Sequence, residues 1–302
     1  MKRRNFIQQT SAATAFIGFG GLSSLSFKPS NKKHITILHT NDVHSHIEPF
    51  GPEDSRNPNL GGVARRATLI QRIRNENPNT LLLDAGDIFQ GTPYFNFYGG
   101  ELEFKLMSKM KYDAATLGNH DFDNGIAGLY AQLPHAEFNF ISSNYDFKNT
   151  LLDGHTQKYK VFTKDGVKIG VFGLGIELQG LVNKSLYKET KYLDPIETAQ
   201  EMSSILKKEK NCDLIICLSH LGYEYSSDKV SDIKLAQATA DIDLIIGGHT
   251  HTFLDKPRVE INKSGKKVLV NQVGCYGLYL GRIDFYLDDN NENQTTGVSL
   301  EV

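Results

Sequence analysis

Tryptophan is absent from the 302-residue sequence, and cysteine occurs only three times. An odd and low number of cysteines excludes the dense disulfide framework on which many small secreted domains depend. We therefore expect Cys212, Cys217 and Cys275 to be small buried apolar side chains close to strands. Stability must come from a packed core, and a chain of this length with 39% apolar residues can supply one for a single large domain.

The sequence also has no large excess of positive or negative charge. Lysine and arginine total 33 against 35 aspartate and glutamate residues, which gives a formal net charge of -2 at pH 7. This balance excludes a broad basic surface, so we expect no nucleic-acid partner. The apolar run at residues 12–25 is too short to cross a bilayer, so we expect no stable membrane span.

A pair of arginines precedes that short apolar run. The motif Arg3-Arg4-x-Phe6-Ile7 resembles a bacterial twin-arginine export signal. We predict that residues 1–28 are a signal peptide of this type, with a general secretory leader as the alternative, and that residues 29–302 form one domain. The expected localisation is the periplasm or the cell surface of a bacterium. A route that carries folded proteins suits a chain without disulfides, since metals can be loaded before export.

Beyond the leader, short apolar runs that predict strands alternate with segments of helical periodicity. We predict strands at residues 35–40, 81–83, 112–117, 138–144, 159–163, 168–174, 214–218, 244–246, 267–273 and 280–287. The pair 159–163 and 168–174 is expected to form a hairpin that turns at Asp165-Gly166. A mixture of crossovers and a hairpin favours an α/β fold with layered, mixed sheets over an all-parallel sheet.

Three segments predict helices. The first opens at Gly61-Gly62 and repeats apolar residues every three to four positions, which indicates a buried face. That face consists of Val63, Ala67, Ile70 and Ile73, and the arginines expected mostly off it are Arg65, Arg66, Arg72 and Arg74. The other two helices are predicted at residues 102–110 and 195–208, where Pro195 suits the first turn.

Five polar clusters follow predicted strands at the point where each strand ends. They are Asp42-Val43-His44, Gly86-Asp87, Gly118-Asn119-His120-Asp121, Ser219-His220 and Gly247-Gly248-His249-Thr250-His251. Loops at the carboxyl ends of strands in an open α/β sheet converge on one crevice. We therefore expect these clusters to meet in space although they are far apart in the sequence.

The residue types in these clusters suit metal ions. Carboxylates, imidazoles and an amide oxygen are hard or borderline ligands, whereas thiolates would indicate other metals. Asp42 and His44 are two residues apart, as are His249 and His251, so an extended backbone would place each pair on one side. Asp87 follows a glycine that permits a tight turn. Each motif alone is common in proteins, but the ordered set predicts a site for two cations.

This ordered set resembles the calcineurin-like metallophosphoesterase superfamily, and within it the catalytic domain of bacterial 5′-nucleotidases of the UDP-sugar hydrolase type. The motifs that carry the resemblance are Asp42-x-His44, Gly86-Asp87-x-x-Gln90-Gly91-Thr92, Gly118-Asn119-His120-Asp121-Phe122-Asp123, His220 and Gly248-His249-x-His251. They are distributed over most of the chain that follows the leader. The resemblance implies a four-layer α-β-β-α sandwich built on two mixed β-sheets.

The resemblance also implies a role for each site residue. One divalent cation would be held by Asp42, His44, Asp87 and His251, and the second by Asp87, Asn119, His220 and His249, with Asp87 as the bridge. His120 would be the catalytic histidine that contacts the phosphoryl group, oriented by Asp123. The residue after this histidine is often glutamate in the group but is Asp121 here, where we expect no ligand role. Such a ligand set accepts Mn, Zn, Fe or Co.

The implied function is hydrolysis of a phosphoester, with a nucleotide as the expected substrate and a metal-activated water as the nucleophile. A 2′,3′-cyclic phosphodiesterase, a nucleotide-sugar pyrophosphatase and a thiosulfohydrolase are alternatives on the same domain. A non-catalytic binding module is the alternative of a different class. Full-length members of the family carry a C-terminal nucleotide-binding domain, for which this sequence has no counterpart before Val302. We therefore expect a separately encoded partner that resembles this domain, with closure of the pocket by the loops at residues 48–59 and 179–192 as the alternative.

Overall fold

Two six-stranded β-sheets form the centre of the fold in the computed structural model, which describes residues 32–288 and 293–302. The predicted signal peptide at residues 1–28 lies outside the described residues. The strands are β1 (Lys33–Thr40), β2 (Thr80–Asp84), β3 (Ala114–Ala115), β4 (Asn139–Phe140), β5 (Tyr145–Asp146), β6 (Tyr159–Lys164), β7 (Val167–Leu174), β8 (Lys191–Tyr192), β9 (Leu214–Ser219), β10 (Leu244–Ile246), β11 (Arg258–Ile261), β12 (Lys267–Asn271), β13 (Tyr279–Leu287) and β14 (Gln294–Glu301).

Helices lie in six of the thirteen connections between consecutive described strands. The α-helices are α1 (Val63–Glu76), α2 (Pro93–Tyr98), α3 (Glu101–Lys109), α4 (Gly125–Gln132), α5 (Lys184–Tyr187), α6 (Pro195–Ser204) and α7 (Asp232–Ala238). Short 3-10 turns occur at His120–Phe122 and Leu133–His135, and a π-helical turn at Ile205–Glu209 continues α6. The three predicted helices are confirmed as α1, α3 and α6 with its extension.

The first sheet has the strand order β14-β13-β1-β2-β3-β4. Strands β1 to β4 are parallel, while β13 and β14 complete the sheet as antiparallel strands. In this register Leu38 pairs with Leu82 of β2, and Ile37 pairs with Ile283 of β13. Because β1, β2 and β3 point the same way, the loops that follow them leave from one edge of the sheet.

The second sheet has the order β11-β12-β10-β9-β7-β6. Its four inner strands are parallel, and an antiparallel hairpin partner closes each side. The β6–β7 hairpin turns at Asp165 and Gly166 as predicted, with φ values of 48° and 74°. Two left-handed residues are what a tight hairpin turn of this handedness requires. A separate antiparallel pair joins β5 to β8.

Three buried apolar clusters divide the fold into four layers. Side chains alternate along β1, so that Ile35 and Ile37 enter the cluster between the two sheets while Leu38 packs on the opposite face. On that face the first sheet is covered by α1, α3 and α4. The outer face of the second sheet is covered by α6 and α7. The predicted α-β-β-α sandwich with two mixed sheets is confirmed.

The shortest and the outermost strands differ from prediction. The runs at 112–117 and 138–144 are predicted as full strands, yet only Ala114–Ala115 and Asn139–Phe140 form ladders. Beyond Phe140 the N–H groups of Ser142 and Ser143 donate to other loops and strands instead. The sequence does not predict β11 and β14, which are edge strands whose apolar residues, such as Val259 and Ile261 of β11, are largely exposed and lie outside the core.

One arginine of α1 contradicts the predicted helix face. Arg66 is only 2% exposed, although it was expected mostly off the buried face, whereas Ala67 is half-buried. A Cβ at Gly277 would overlap the Arg66 guanidinium, so glycine leaves the space that this side chain fills. Burial raises the pKa of the nearby Asp84 to about 7, and the positive charge of Arg66 opposes that rise. The charge of Arg66 therefore favours the ionised form of Asp84, a buried carboxyl group beneath the strand ends.

Two of the three cysteines are buried as the sequence predicts. All three are free, and Cys212 and Cys217 are buried as expected, whereas Cys275 is half-buried. Among the described helices, none combines the length and the apolar character that a membrane crossing requires.

Candidate metal centre

Five loops from the two sheets meet at one edge of the sandwich. Strands β1, β2 and β3 of the first sheet lead to Asp42, His44, Asp87, Asn119 and His120, and strands β9 and β10 of the second lead to His220, His249 and His251. These side chains line or lie directly beneath a cleft of about 400 Å³. The prediction that the five polar clusters meet in space is therefore confirmed by the structure.

A first group of side chains consists of Asp42, His44 and His251. The Nε2 atoms of the two histidines are 3.0 Å apart. Asp42 Oδ1 lies 3.4 Å from His251 Nε2 and 3.9 Å from His44 Nε2. The other ring nitrogen of His44 lies 3.2 Å from the carbonyl oxygen of Phe89, which leaves Nε2 directed into the group.

A second group consists of Asp87, His220 and His249. His220 Nε2 lies 3.1 Å from Asp87 Oδ2, and its Nδ1 lies 2.7 Å from the carbonyl oxygen of Ala85. The amide oxygen of Asn119 joins this group, since it lies 2.8 Å from His249 Nδ1. The structure thus gathers all seven residues predicted as ligands into two adjoining groups.

Asp87 lies between the two groups. Its Oδ2 atom is 3.1 Å from His220 Nε2 in the second group and 3.9 Å from His44 Nε2 in the first. The other oxygen, Oδ1, accepts a hydrogen bond of 2.7 Å from the backbone N–H of His120. That bond fixes the orientation of the carboxylate, so that Oδ2 stays directed at both groups.

The spacing of the donor atoms fits divalent cations. Donors that share one cation at about 2.1 Å lie about 3 to 3.5 Å apart. The shortest separations here are 2.8 Å, 3.0 Å, 3.1 Å and 3.4 Å. Within the described part of the chain, the buried His220 Nε2 has no hydrogen-bond partner of acceptable geometry, although Asp87 lies beside it. A buried ring nitrogen in that position is suited to a metal bond.

The backbone is left-handed rather than extended at five of the seven predicted ligands. The φ angle is 49° at Asp42, 50° at His44, 55° at Asp87, 72° at His249 and 52° at His251. The expectation that an extended backbone aligns the paired ligands is therefore wrong. A turn brings Asp42 and His44 together, while His249 and His251 enter different groups. Such conformations cost on the order of 1 kcal/mol each and are concentrated at functional sites.

Two glycines let the backbone pass close to the ligands. A Cβ at Gly118 would overlap the carboxylate of Asp87. A Cβ at Gly248 would lie 2.7 Å from His220 Nδ1 and 3.1 Å from Asp42 Oδ2. The glycines of the Gly-Asn-His and Gly-His-x-His motifs are therefore required by the close packing of ligand side chains.

Negative charge from the two carboxylates keeps protons on two of the histidines. Burial lowers the pKa of His220, but Asp87 and Asp42 outweigh it and raise that pKa to about 10. Interactions with Asp42 and Cys275 raise the pKa of His251 to about 10. Although burial opposes ionisation, His220 and His44 hold the pKa of the Asp87 carboxyl well below its usual range. A cation that binds here must displace the protons of His220 and His251.

His120 lies at the cleft but belongs to neither ligand group. It begins the short turn His120–Phe122, and its Nδ1 atom lies 2.9 Å from Asp123 Oδ2. The bond to Asp123 raises the pKa of His120 in spite of partial burial. The two side chains are 38% and 30% exposed, so this pair is accessible to a molecule in the cleft.

Comparison with known proteins identifies the family. Residues 35–253 match the family model described as calcineurin-like phosphoesterase. The chain belongs to this family. It is 37% identical over 286 residues to the 5′-nucleotidase of Homo sapiens, an alignment that covers 84% of this chain and 47% of the human one. It is 36% identical over 276 residues to the snake venom 5′-nucleotidase of Crotalus adamanteus, with 84% and 45% covered.

A solved structure supports the same relationship. The crystal structure of the 5′-nucleotidase precursor from Thermus thermophilus superposes with a TM-score of 0.81 at 35% identity. The superposition covers 89% of this chain and 55% of that one. The chain therefore spans about half the length of the 5′-nucleotidases that it matches.

Asp121 has a structural role that the sequence analysis did not predict. In this phosphoesterase the buried carboxylate accepts hydrogen bonds from the backbone N–H groups of Asp87, Ile88, Phe89 and Gly118, at distances from 2.8 to 3.2 Å. It therefore joins the Asp87 loop to the Gly118 loop. Burial, together with the charge of Asp87, raises its pKa to about 7. Its position directly after His120 gave no signal for this role.

Two of the remaining histidines of the phosphoesterase domain make structural contacts, and a third lines the cleft. His39 is fully buried between the sheets, where its Nε2 lies 2.9 Å from Asn271 Nδ2, and burial lowers its pKa to about 3. His34 lies 2.8 Å from Asp284 on a different part of the fold. His46, by contrast, lines the cleft. Its place two residues after His44 in the same loop was the available signal.

Proposed function

We propose that this chain is a metal-dependent phosphoester hydrolase that acts on nucleotides in the manner of a 5′-nucleotidase. The observation that carries the proposal is the pair of adjoining ligand groups around Asp87, with His120 and Asp123 beside them in the same cleft. The names of the relatives support the substrate class, since those cited above are 5′-nucleotidases.

The proposed ligands fall into two sets that share one residue. Asp42, His44, Asp87 and His251 would hold one divalent cation, and Asp87, Asn119, His220 and His249 would hold the other. Mn, Zn, Fe and Co are all compatible with these ligands. When bound, such cations acidify a water molecule and neutralise the oxygens of a phosphoryl group. Because five of the seven ligands are neutral histidine and asparagine side chains, the loaded site retains positive charge that favours an anionic substrate.

His120 is proposed to act directly on the phosphoester. Its Nδ1 is engaged by Asp123 at 2.9 Å, which leaves Nε2 as the nitrogen available to the substrate. The raised pKa favours the protonated ring, which can donate to a phosphoryl oxygen or to the leaving oxygen. Asp123 would hold the ring in this orientation.

The alternative activities are not favoured by these relatives. The cyclic phosphodiesterase, the nucleotide-sugar pyrophosphatase and the thiosulfohydrolase would all use the same ligand groups and differ in what the cleft admits. A non-catalytic binding module would have no need for the His120–Asp123 pair, which this chain retains.

Hydrolysis of a small substrate panel tests the proposal. The chain is stripped of metal with a chelator and assayed with AMP, 2′,3′-cyclic AMP and UDP-glucose, with and without Mn²⁺. We expect Mn²⁺-dependent release of phosphate from AMP at a higher kcat/KM than for the other two substrates. The absence of hydrolysis with Mn²⁺, Zn²⁺, Fe²⁺ and Co²⁺ alike would overturn the proposed activity, and a preference for another substrate would overturn the substrate class.

Export through a twin-arginine signal is part of the same proposal. The Arg3-Arg4-x-Phe6-Ile7 motif supports export. Two relatives support it as well, since one is named a snake venom 5′-nucleotidase and the other a 5′-nucleotidase precursor. A fusion of residues 1–28 to a reporter should be exported, and Arg3→Lys with Arg4→Lys should retain it in the cytoplasm. Export of the double variant at the parental level would indicate a general secretory leader instead.

We also propose that a separately encoded partner docks over the metal face and binds the nucleoside. The accessible side chains of His120 and His251 support an open cleft in the isolated chain. The partner should lower KM for AMP and raise kcat by positioning the phosphate, because remote binding energy orients a substrate. A sub-millimolar KM with efficient turnover by the chain alone would remove the need for a partner, and loops of this chain would then close the cleft.

A further inference from the structure

Gln272 is a fully buried glutamine that directly follows strand β12. It belongs to neither ligand group. Strand β12 pairs in parallel with β10, so the residue that follows β12 stands beside the loop that follows β10. That loop carries His249 and His251, and we call residues 248–252 the histidine loop. Gln272 is therefore placed next to the source of two predicted metal ligands.

The side chain of Gln272 is hydrogen-bonded to the histidine loop at three points. Its Nε2 donates to the carbonyl oxygen of Gly248, the residue before His249, at 2.6 Å. Its Oε1 accepts from the hydroxyl of Thr250 at 3.1 Å and from the backbone N–H of Thr252. One side-chain amide thus uses both its donor and its acceptor on a single loop, on residues that flank each histidine ligand.

The backbone of the histidine loop needs this support. His249 and His251 have φ angles of 72° and 52°, a left-handed conformation that is unfavourable for residues other than glycine. Such a conformation persists only where surrounding contacts fix it. In addition to the bonds of the Gln272 side chain, the backbone N–H of Gly274 donates to the carbonyl oxygen of Thr252 at 3.0 Å. The short segment after β12 therefore fixes both ends of the histidine loop.

The histidine loop serves both ligand groups. His251 belongs to the first group and His249 to the second, so a shift of the loop displaces one ligand of each. We propose that Gln272 is a positioning residue for both cation positions, which acts through its hydrogen bonds to this one loop. The inference rests on the proposed metal centre and adds a buried residue that contacts no substrate. Residues that orient metal ligands typically change metal affinity by about 10- to 100-fold when they are replaced.

Metal titration of a variant with similar side-chain volume tests this role. Gln272→Met keeps the approximate length of the side chain and removes its amide, so the histidine loop loses three hydrogen bonds. Calorimetric titration of the metal-free chain with Mn²⁺ should show affinity weakened by about 10- to 100-fold at both positions. Because the buried side chain contacts no substrate, saturating Mn²⁺ should restore most of the parental kcat for AMP.

Asn271→Leu is the matched control. Asn271 precedes Gln272 in the chain and is also a fully buried amide, but its side chain bonds to His39, with Nδ2 lying 2.9 Å from the Nε2 atom of that ring. Both variants should lower the midpoint of thermal unfolding of the metal-free chain, since each loses buried hydrogen bonding. Only Gln272→Met should weaken the binding of Mn²⁺.

Hydrogen exchange provides a second measurement that needs no cation. The backbone N–H of Thr252 donates to Gln272 Oε1, so this bond should slow its exchange in the metal-free parental chain. We expect faster exchange in the histidine loop of Gln272→Met and parental exchange there in Asn271→Leu.

The outcomes distinguish this inference from the proposed metal centre. Parental Mn²⁺ affinity in Gln272→Met would overturn the positioning role and leave the metal centre intact. Equal losses of affinity in Gln272→Met and Asn271→Leu would also overturn it, because general destabilisation would then explain both. Weaker affinity without faster exchange in the histidine loop would show that the loop is not the route. Failure of the parental chain to bind Mn²⁺, Zn²⁺, Fe²⁺ or Co²⁺ would overturn the metal centre, and the inference with it.

Discussion

The two ligand groups are buried to a similar extent, but their buried histidines are anchored differently. In the second group the side chain of His220 is fully buried, that of Asp87 is 2% exposed, and His220 Nδ1 is tied to Ala85 at 2.7 Å.

In the first group Asp42 and His44 are buried as well, and His44 Nδ1 lies 3.2 Å from the carbonyl oxygen of Phe89. Each group also has one half-buried ligand at the cleft, His251 in the first and His249 in the second. The difference indicates that the buried histidine of the second group is held more firmly than that of the first.

Both groups join the two halves of the sandwich. Asp87 follows β2 of the first sheet and His220 follows β9 of the second, and in the same way Asp42 follows β1 and His251 follows β10. Each ligand is then held by its own sheet, and little rearrangement is needed to bind a cation. We expect the second position, whose buried histidine is the more firmly anchored, to bind its cation more tightly and to release it more slowly than the first.

Replacement of the shared ligand should abolish the difference between the groups. Asp87→Ala removes the carboxylate that faces both His220 and His44, so both cations should be lost and hydrolysis with them. Elemental analysis after gel filtration measures the metal content per chain. Retention of two tightly bound cations by this variant would show that Asp87 is not the bridge.

Replacement of His120 should separate chemistry from metal binding. His120→Ala should leave the metal content intact and lower kcat by about 10²- to 10⁴-fold, the range for a positioned acid or a donor to developing charge. Asp123→Asn should act in the same direction with a smaller effect, because the ring remains but its orientation is less well fixed. Parental turnover of every substrate by the His120 variant would refute the catalytic assignment.

A matched pair of histidine variants should sharpen the comparison itself. His251→Ala should leave about one tightly bound cation per chain, because the second group is untouched. His220→Ala should release the more tightly held cation and also lower the unfolding midpoint, since it leaves the buried Asp87 carboxylate without its neighbour. Titration with Mn²⁺ and thermal unfolding measure both effects. Equal losses of bound metal from the two variants would contradict a difference in affinity between the two cation positions.

A smaller effect should appear as a pH dependence of metal binding. The pKa values of His220 and His251 are raised to about 10, so both rings carry protons near neutral pH and must lose them to bind a cation. Metal affinity should therefore increase with pH until about pH 10, and binding should release protons. Calorimetric titration at pH 7 in buffers of different ionisation enthalpy counts these protons. A binding heat that is independent of the buffer would contradict this charge state.

Much of the candidate site could be predicted because each ligand follows a recognisable strand. Apolar runs before Asp42, Asp87, His220 and His249 give the strand ends, and parallel strands bring those ends to one edge. The left-handed backbone at Asp42 and His44 could not be predicted, since it arises from hydrogen bonds with the loop around Asp87. Local sequence alone favours neither conformation at these positions.

Long-range packing explains the other differences. Asp121 accepts bonds from two loops that only the folded chain brings together, so its neighbours in sequence carry no sign of the role. The burial of Arg66 depends on the space at Gly277, more than two hundred residues away. Edge strand β14 has mostly exposed side chains, and only its pairing with β13 identifies it as a strand.

Anomalous diffraction from crystals grown with Mn²⁺ tests the two-position metal centre most directly. We predict two anomalous peaks, one bound by Asp42, His44 and His251 and the other by Asp87, Asn119, His220 and His249, with Asp87 in contact with both. When Mn²⁺ is limiting, the peak at the second group should be the stronger. A single peak, or peaks that lie away from both groups, would contradict a two-cation phosphoesterase site.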